Sequence, residues 1–319
     1  MQRLPSAAEL VVTRLPGASF PSPLPPPFTD PQRGVALETD PEALGRQSSE
    51  GGILSFTKAG PRQVLRFTPA ETCLGIVTCG GLCPGMNAVI RAIVREALGR
   101  YGVARVLGFR FGYAGLVGRL GHAPMELTQD CVDRIHLDGG SILGTSRGHQ
   151  DVREMVACLH DQNVQALIAI GGDGTLRGVH ALCEEIRRQD LDVAVIGVPK
   201  TIDNDISYVQ RSFGLETAVS VATQALLAAA YEARSASGGI GLVRLMGRES
   251  GFIAAYATLA SGVANFCLIP EAPFCLEGPR GLVAAVGSRL RVRGSAVIAV
   301  AEGAGRELVG ISHRDASGN

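Results

Sequence analysis

Three loops in this chain carry glycines, carboxylates or both in a way that suits phosphate chemistry. The first is Thr78-Cys79-Gly80-Gly81-Leu82-Cys83-Pro84-Gly85-Met86-Asn87. Its glycines let the backbone approach an anion closely, and a helix starting after it offers free N–H groups and the positive end of its dipole. It lacks the G-x-x-x-x-G-K-[ST] spacing of a Walker loop. The second is Gly171-Gly172-Asp173-Gly174-Thr175. A carboxylate set among glycines suits a hydrated Mg²⁺ beside phosphates, and an acidic helix cap is the plain alternative. The third is Pro199-Lys200-Thr201-Ile202-Asp203-Asn204-Asp205. Two carboxylates two residues apart in an extended loop point the same way. One of them can take a proton from a hydroxyl while the other orients that group or a metal. An Asx turn explains such a loop on its own. All three in one chain favour the functional reading.

Further candidates sit in similar places. Gly144-Thr145-Ser146-Arg147-Gly148 follows the apolar Ile142-Leu143, and an Arg held between glycines can fork onto a phosphate. Met246-Gly247-Arg248-Glu249-Ser250-Gly251 offers a second such Arg. Glu302, in Ala301-Glu302-Gly303-Ala304-Gly305, is a carboxylate placed to receive sugar hydroxyls. Arg91 and Arg95 lie four apart, which fits a solvated helix face better than an anion site. Glu271, after Pro270, reads as a turn residue. The six histidines show no ligand or triad spacing, which argues against a hydrolase.

The elements that must position these loops follow a rhythm of strand, glycine loop, helix. Apolar runs predict strands over 73–79, 103–109, 165–170, 192–198, 240–245, 264–269 and 295–301. Helices are expected over 87–100 with Asn87 as cap, from 173 to about 189, and over 214–233, 251–261 and 282–292. Continuous apolar strands alternating with helices imply an α/β chain with parallel sheets covered on both faces. In such sheets ligands bind beyond the carboxyl ends of the strands, where the candidate loops fall apart from 144–148, which follows no predicted strand. Residues 1–72 differ: Pro5, Pro16, Pro21, Pro23 and Pro25-Pro26-Pro27 block regular structure, and 38–52 is polar without clear period. We expect an extended Pro-rich arm over 1–72, a nucleotide-binding domain over 73–212 and a partial substrate-binding domain over 213–319.

Composition narrows the classes. Hydrophobic residues at 46% against 19% charged exclude a disordered chain. Thirty Lys and Arg balance thirty Asp and Glu with no basic run, so no nucleic-acid partner is expected. No apolar stretch reaches the length of a membrane span. The eight cysteines show no zinc spacing and read as buried, reduced thiols of an intracellular protein. The cytoplasm is the expected compartment, with a plastid as the alternative, since Arg3 and Arg14 lie in an acid-poor start interrupted by Glu9.

Taken together and in this order, the loops resemble those of the phosphofructokinase family. The resemblance runs from about Ala59 to the end of the chain. Ala59-Gly60-Pro61-Arg62-Gln63, the 78–85 loop and the 269–278 stretch look like the plant and algal ATP-dependent branch. It implies two doubly wound, Rossmann-like parallel-sheet domains, the second incomplete. It also implies transfer of the terminal phosphate of ATP, with Mg²⁺, to the 1-hydroxyl of fructose 6-phosphate. By motif position Asp203 looks like the general base and Asp173 the Mg²⁺ residue. Gly81, Arg147, Gly148, Gly172, Asp173, Gly174 and Thr175 look like nucleotide-binding positions. Thr201, Ile202, Asp203, Met246, Gly247, Arg248 and Glu302 look like substrate-binding positions. In the family a Gly at the position of Gly174 goes with ATP and an Asp with pyrophosphate. Lys200 is typical of pyrophosphate enzymes but also occurs in plant-type ATP enzymes. The resemblance therefore points to ATP, with pyrophosphate as the alternative, and to a homo-oligomer. A NAD-kinase-like reading rests on the 171–175 loop alone and leaves the Asp203 and Arg248 loops unexplained.

Three departures stand out. Glu249 occupies a position where Tyr or His is commoner, and an acid there is expected to weaken the neighbouring Arg248's hold on phosphate. Bacterial-type members bring in an Arg from a neighbouring subunit seven residues before the Met of this motif, and Gly239 holds that position. The sequence stops at Asp315-Ala316-Ser317-Gly318-Asn319, whereas the family continues through a strand–helix portion and a Tyr- and Arg-bearing segment that grips the sugar 6-phosphate. A second expectation follows: a catalytically incomplete fragment that binds nucleotide or pairs with a full-length subunit.

Overall fold

A computed structural model describes residues 5–12, 15–50 and 52–309. The chain end at 315–319 lies outside the described residues.

The apolar run Cys73–Thr78 forms β1, buried along its whole length at the middle of a five-stranded sheet. Its partners are β2 (Arg105–Phe109), β3 (Met125–Glu126), β4 (Ala166–Gly171) and β5 (Ala194–Pro199). The order is β3-β2-β1-β4-β5, parallel throughout except for the short antiparallel pairing of β2 with β3. Helix α1 (Met86–Arg95) covers one face, where Ile90 and Val94 pack on Leu74, Ile76 and Val106. Helices α2 (Val152–Asp161) and α3 (Asp173–Arg188) cover the other, where Met155, Leu159 and Leu182 pack on Val77, Leu107 and Leu167. Complete burial of each such side chain contributes on the order of 1.5–3 kcal/mol.

This winding sets the site. The chain leaves β1 through α1 on one face and reaches β4 through α2 on the other. The loops after β1 and β4 therefore diverge and leave a crevice at the carboxyl ends of the strands.

A second sheet has the order β6-β8-β7, all parallel, with β6 at Gly239–Leu245, β7 at Phe266–Leu268 and β8 at Ser295–Ala301. Helices α4 (Leu215–Ser235) and α5 (Phe252–Ser261) cover one face through Leu226, Ile253, Val297 and Ala299. Helix α6 (Leu282–Arg293) covers only part of the other, through Val286 and Leu290 on Ile298 and Phe266. Burial along β6 accordingly alternates, and Ile240 and Leu242 on its outer face are 50% and 66% exposed. Coverage on both faces, expected from the apolar runs, holds for the inner strands of the first sheet and fails at the edges, at Ile196 of β5, which is 54% exposed, and along the outer face of β6.

The N-terminal arm carries more structure than its prolines suggest. Helix Pro41–Glu50 forms in it, and short ladders pair Phe20–Pro21 with Val64–Leu65 and Gly34–Ala36 with Ser55–Thr57. The helix start was encoded: the Asp40 carboxylate accepts the Ala43 amide at 2.8 Å, and Pro41 sits at the first helical position.

Asn87 does not cap α1. Gly85, at φ +95°, holds the cap position, a conformation that favours glycine. Asn87 is buried inside the first turn, where its amide donates to the Asp138 carbonyl at 3.1 Å and accepts the Ile142 amide at 2.9 Å. It thus pins the segment leading to Arg147. Asn87→Ala should lower stability by about 1–3 kcal/mol, because two buried backbone groups lose their partner. Chemical denaturation measures this, and an unchanged midpoint would show the pin to be idle.

The cysteines are all free. Cys73, Cys79 and Cys83 are buried as expected, while Cys131 and Cys275 are exposed, since they lie in a one-turn surface helix and a loop rather than on strands.

Candidate active site

A cleft of about 700 Å³ opens where the carboxyl ends of both sheets face each other. Gly81, Arg147, Gly148, Gly172, Asp173, Gly174, Thr175, Lys200, Thr201, Ile202, Asp203, Met246, Arg248 and Glu302 all line it. Gly247 does not. Its φ of +127° bends the loop, and its carbonyl accepts the Gly303 amide at 3.0 Å, so it places Arg248 and Glu302 rather than facing the cleft. A second hollow of about 660 Å³, on the outer side of α4 and α5, gathers no converging charge, because its Arg211 and Glu216 pair with each other at 3.2 Å.

The loop after β1 is held from two sides. The Gly80 amide donates to the Ser146 carbonyl at 3.1 Å, which ties it to the Arg147 loop. The Lys200 ammonium donates to the Gly81 carbonyl at 2.7 Å, which ties it to the end of β5. Lys200 is only 5% exposed. Burial lowers its pKa from the ordinary lysine value, and Arg147 adds to that against the opposing pull of Cys83, Cys79 and Asp205. Beside it, burial pushes the Cys83 thiol up to about 11.

Asp173 is the first residue of α3 and faces solvent at the cleft. It does not cap the helix; its carboxylate pairs with Arg177 one turn along. An added Cβ at Gly174 would find only the Arg177 guanidinium, at 4.0 Å, so the space beside Gly174 is open. Thr175 is buried, and its carbonyl accepts the Tyr113 hydroxyl at 2.8 Å.

The loop after β5 is turned rather than extended. Asn204 adopts φ +56°, and its side chain accepts the Ser212 amide at 2.7 Å and donates to the Gln210 carbonyl at 3.1 Å. The two flanking carboxylates still share the cleft. Asp205 accepts the Thr201 hydroxyl. Oδ1 of Asp203 is buried and has no hydrogen-bond partner. Burial raises the pKa of Asp203 above the ordinary aspartate value, and the like charges of Asp205 and Glu302 add to this. The Arg248 amide and guanidinium pull it the other way. A carboxylate so placed has one oxygen free to take a proton from a hydroxyl brought into the cleft.

No group of three or more His, Cys, Asp or Glu among the described residues could cage a metal ion. Mg²⁺ is usually held by one or two carboxylates, phosphates and water, so the solvent-facing Asp173 fits a cation arriving with a nucleotide.

A family model described as Phosphofructokinase matches residues 73–315. The chain belongs to the phosphofructokinase family. It is 50% identical over 262 residues to the ATP-dependent 6-phosphofructokinase of Trypanosoma cruzi, covering 82% of this chain and 53% of that protein. It is 50% identical over 268 residues to ATP-dependent 6-phosphofructokinase 7 of Arabidopsis thaliana, covering 83% and 55%. The chain thus spans about half the length of these curated relatives. In fold it is similar to the pyrophosphate-dependent phosphofructokinase of Marinobacter aquaeolei, with a TM-score of 0.65 at 20% identity, over 73% of this chain and 61% of that one.

Within this phosphofructokinase-family chain, two of the departures, at Gly239 and Glu249, have physical accounts. No side chain fits at Gly239, where an added Cβ would lie 2.2 Å from the Ala233 carbonyl oxygen. Glu249 turns its carboxylate to Arg306, which donates to it at 2.8 Å, so part of its charge is met away from Arg248. Arg91 and Arg95 face Asp133 at 3.8 and 4.0 Å, outside the cleft. Glu271 lies in a turn as expected, but its carboxylate also accepts the Gly251 amide at 2.8 Å at the start of α5.

Sequence reasoning gave no role to several lining residues, among them Tyr113, His149, Gln150 and Arg177, whereas Asp205, read as the second carboxylate beside Asp203, does line the cleft. Only Arg177 carried a readable signal, its i,i+4 spacing from Asp173.

Proposed function

We propose that the chain transfers the terminal phosphate of ATP to the 1-hydroxyl of fructose 6-phosphate. The observation that carries this is the buried, unpartnered Oδ1 of Asp203, lining a cleft with the two glycine loops. Phosphoryl transfer is mostly positioning and charge neutralisation of an in-line displacement, so it asks little covalent chemistry of the protein. Asp203 accepts the proton of the attacking hydroxyl. Gly81, Gly172, Gly174 and Thr175 form the phosphate cradle, with Arg147 and Gly148 at its rim. Thr201, Ile202, Met246, Arg248 and Glu302 orient the sugar phosphate, and Gly247 shapes their loop. Mg²⁺ bound at Asp173 with the nucleotide would offset charge on the phosphates.

The open space at Gly174 supports ATP as donor, as do the names of the 50%-identical relatives. Lys200 supports it too, since its ammonium is engaged in holding the Gly81 loop. We read 73–212 as the nucleotide side and 213–319 as the sugar side, and the working form as a homo-oligomer. Eight free cysteines suit a reducing compartment, so the cytoplasm is the favoured location and a plastid the alternative. No helix among the described residues is long and apolar enough to cross a membrane.

The reading is tested by ³¹P NMR of the product made from fructose 6-phosphate and Mg-ATP. A new phosphate ester on carbon 1 supports it. ATP hydrolysis without a sugar product contradicts it.

A pH dependence follows with a defined sign. Asp203 works ionised, and its pKa is raised, so turnover falls as pH drops through that raised value. Asp205→Asn keeps the acceptor for Thr201 but removes the neighbouring charge. The acid limb of kcat should then move to lower pH. A limb that stays in place would show that Asp205 does not act on Asp203.

A further inference from the structure

The guanidinium of Arg177 pairs with the Asp173 carboxylate across one turn of α3, and the two side chains are 70% and 71% exposed. The same guanidinium is the nearest group to the open space beside Gly174. Arg177 therefore hangs inside the cleft, over the stretch of loop that a nucleotide's phosphates would cross. Two other cations face this loop cluster, Arg147 beside Gly81 and Lys200 on the Gly81 carbonyl.

An exposed ion pair of this kind holds weakly, because water solvates both partners. A guanidinium meets phosphate more strongly, through forked charge-assisted hydrogen bonds. A divalent cation that takes the Asp173 carboxylate releases the guanidinium next to the phosphates that arrive with it. We propose that Arg177 is a further donor-binding residue: Asp173 holds it in the ligand-free chain, and it passes to the nucleotide phosphates when a divalent cation takes that carboxylate. This rests on the reading of the cleft as an ATP site.

The exchange couples metal to nucleotide. Without metal, the Asp173 carboxylate both ties Arg177 and repels phosphate. With metal, neither effect operates. The chain should therefore bind Mg-ATP tightly and metal-free ATP poorly, for a reason that lies in two named side chains.

Calorimetric titration of the full chain with ATP, with and without Mg²⁺, tests this in the native protein, Arg177→Met, Asp173→Asn and the double variant. Met has a helix propensity close to that of Arg and the site is exposed, so the fold is retained, as circular dichroism will check. Arg177→Met should weaken Mg-ATP binding about tenfold or more. Asp173→Asn should strengthen binding of metal-free ATP several-fold, and the double variant should keep only the smaller part of that gain that comes from removing the Asp173 charge. A purely structural Arg177 would not produce this partial reversal. Native and Arg177→Met chains that bind Mg-ATP equally overturn the inference alone. A native chain that binds no ATP overturns the reading of the site, and the inference with it.

Discussion

Asp203→Asn should cut turnover by about 10²–10⁴-fold while leaving ATP affinity close to native, the range expected for losing general-base help. The substitution keeps the shape of the side chain and removes its capacity to take a proton. It should not lower the thermal midpoint at neutral pH. Burial and neighbouring carboxylates raise the pKa of Asp203 in the fold, so its ionised form costs stability above that value, and a neutral amide avoids the cost. Steady-state kinetics with ATP titration and thermal melts checks all three quantities. Near-native turnover would remove Asp203 from the role. Lost ATP binding or a collapsed midpoint would make it structural.

Gly174→Asp should have the second-largest effect, on the choice of donor. The cleft leaves room at Gly174, with the Arg177 guanidinium the nearest group at 4.0 Å. An Asp there adds a carboxylate next to Asp173 and in the path of the nucleotide. Juxtaposed like charges cost several kcal/mol, so kcat/KM for ATP should fall about 100-fold or more. Use of pyrophosphate, which lacks the rest of the nucleotide, should fall far less. Equal losses with both donors would show general damage, and an unchanged kcat/KM for ATP would sink the steric and electrostatic argument.

Much of the first sheet was legible because its signals are local. All six residues of β1 are buried, only Thr78 among them is polar, and Gly80-Gly81 follow one residue after the strand. The strand 295–301 was read to the residue for the same reason. The candidate loops were legible because a carboxylate among glycines is unusual in both composition and position. Long-range partners were not. Nothing near Asn87 announces that its amide spans to Asp138 and Ile142, so a capping role was the natural reading. The open face of β6 depends on what packs over Ile240 and Leu242, which alternation in sequence does not specify. The N-terminal helix was a missed local signal: Asp40-Pro41 is a cap followed by a first-turn proline, outweighed by the prolines upstream.

The central claim, ATP-driven phosphorylation of fructose 6-phosphate in a cleft built around Asp203, is tested most directly by assaying the purified 319-residue chain with Mg-ATP and Mg-pyrophosphate side by side. The account predicts fructose 1,6-bisphosphate from ATP at a far higher kcat/KM than from pyrophosphate. Product from pyrophosphate alone would contradict the donor assignment. A folded chain that binds ATP yet forms no product would contradict the catalytic claim itself.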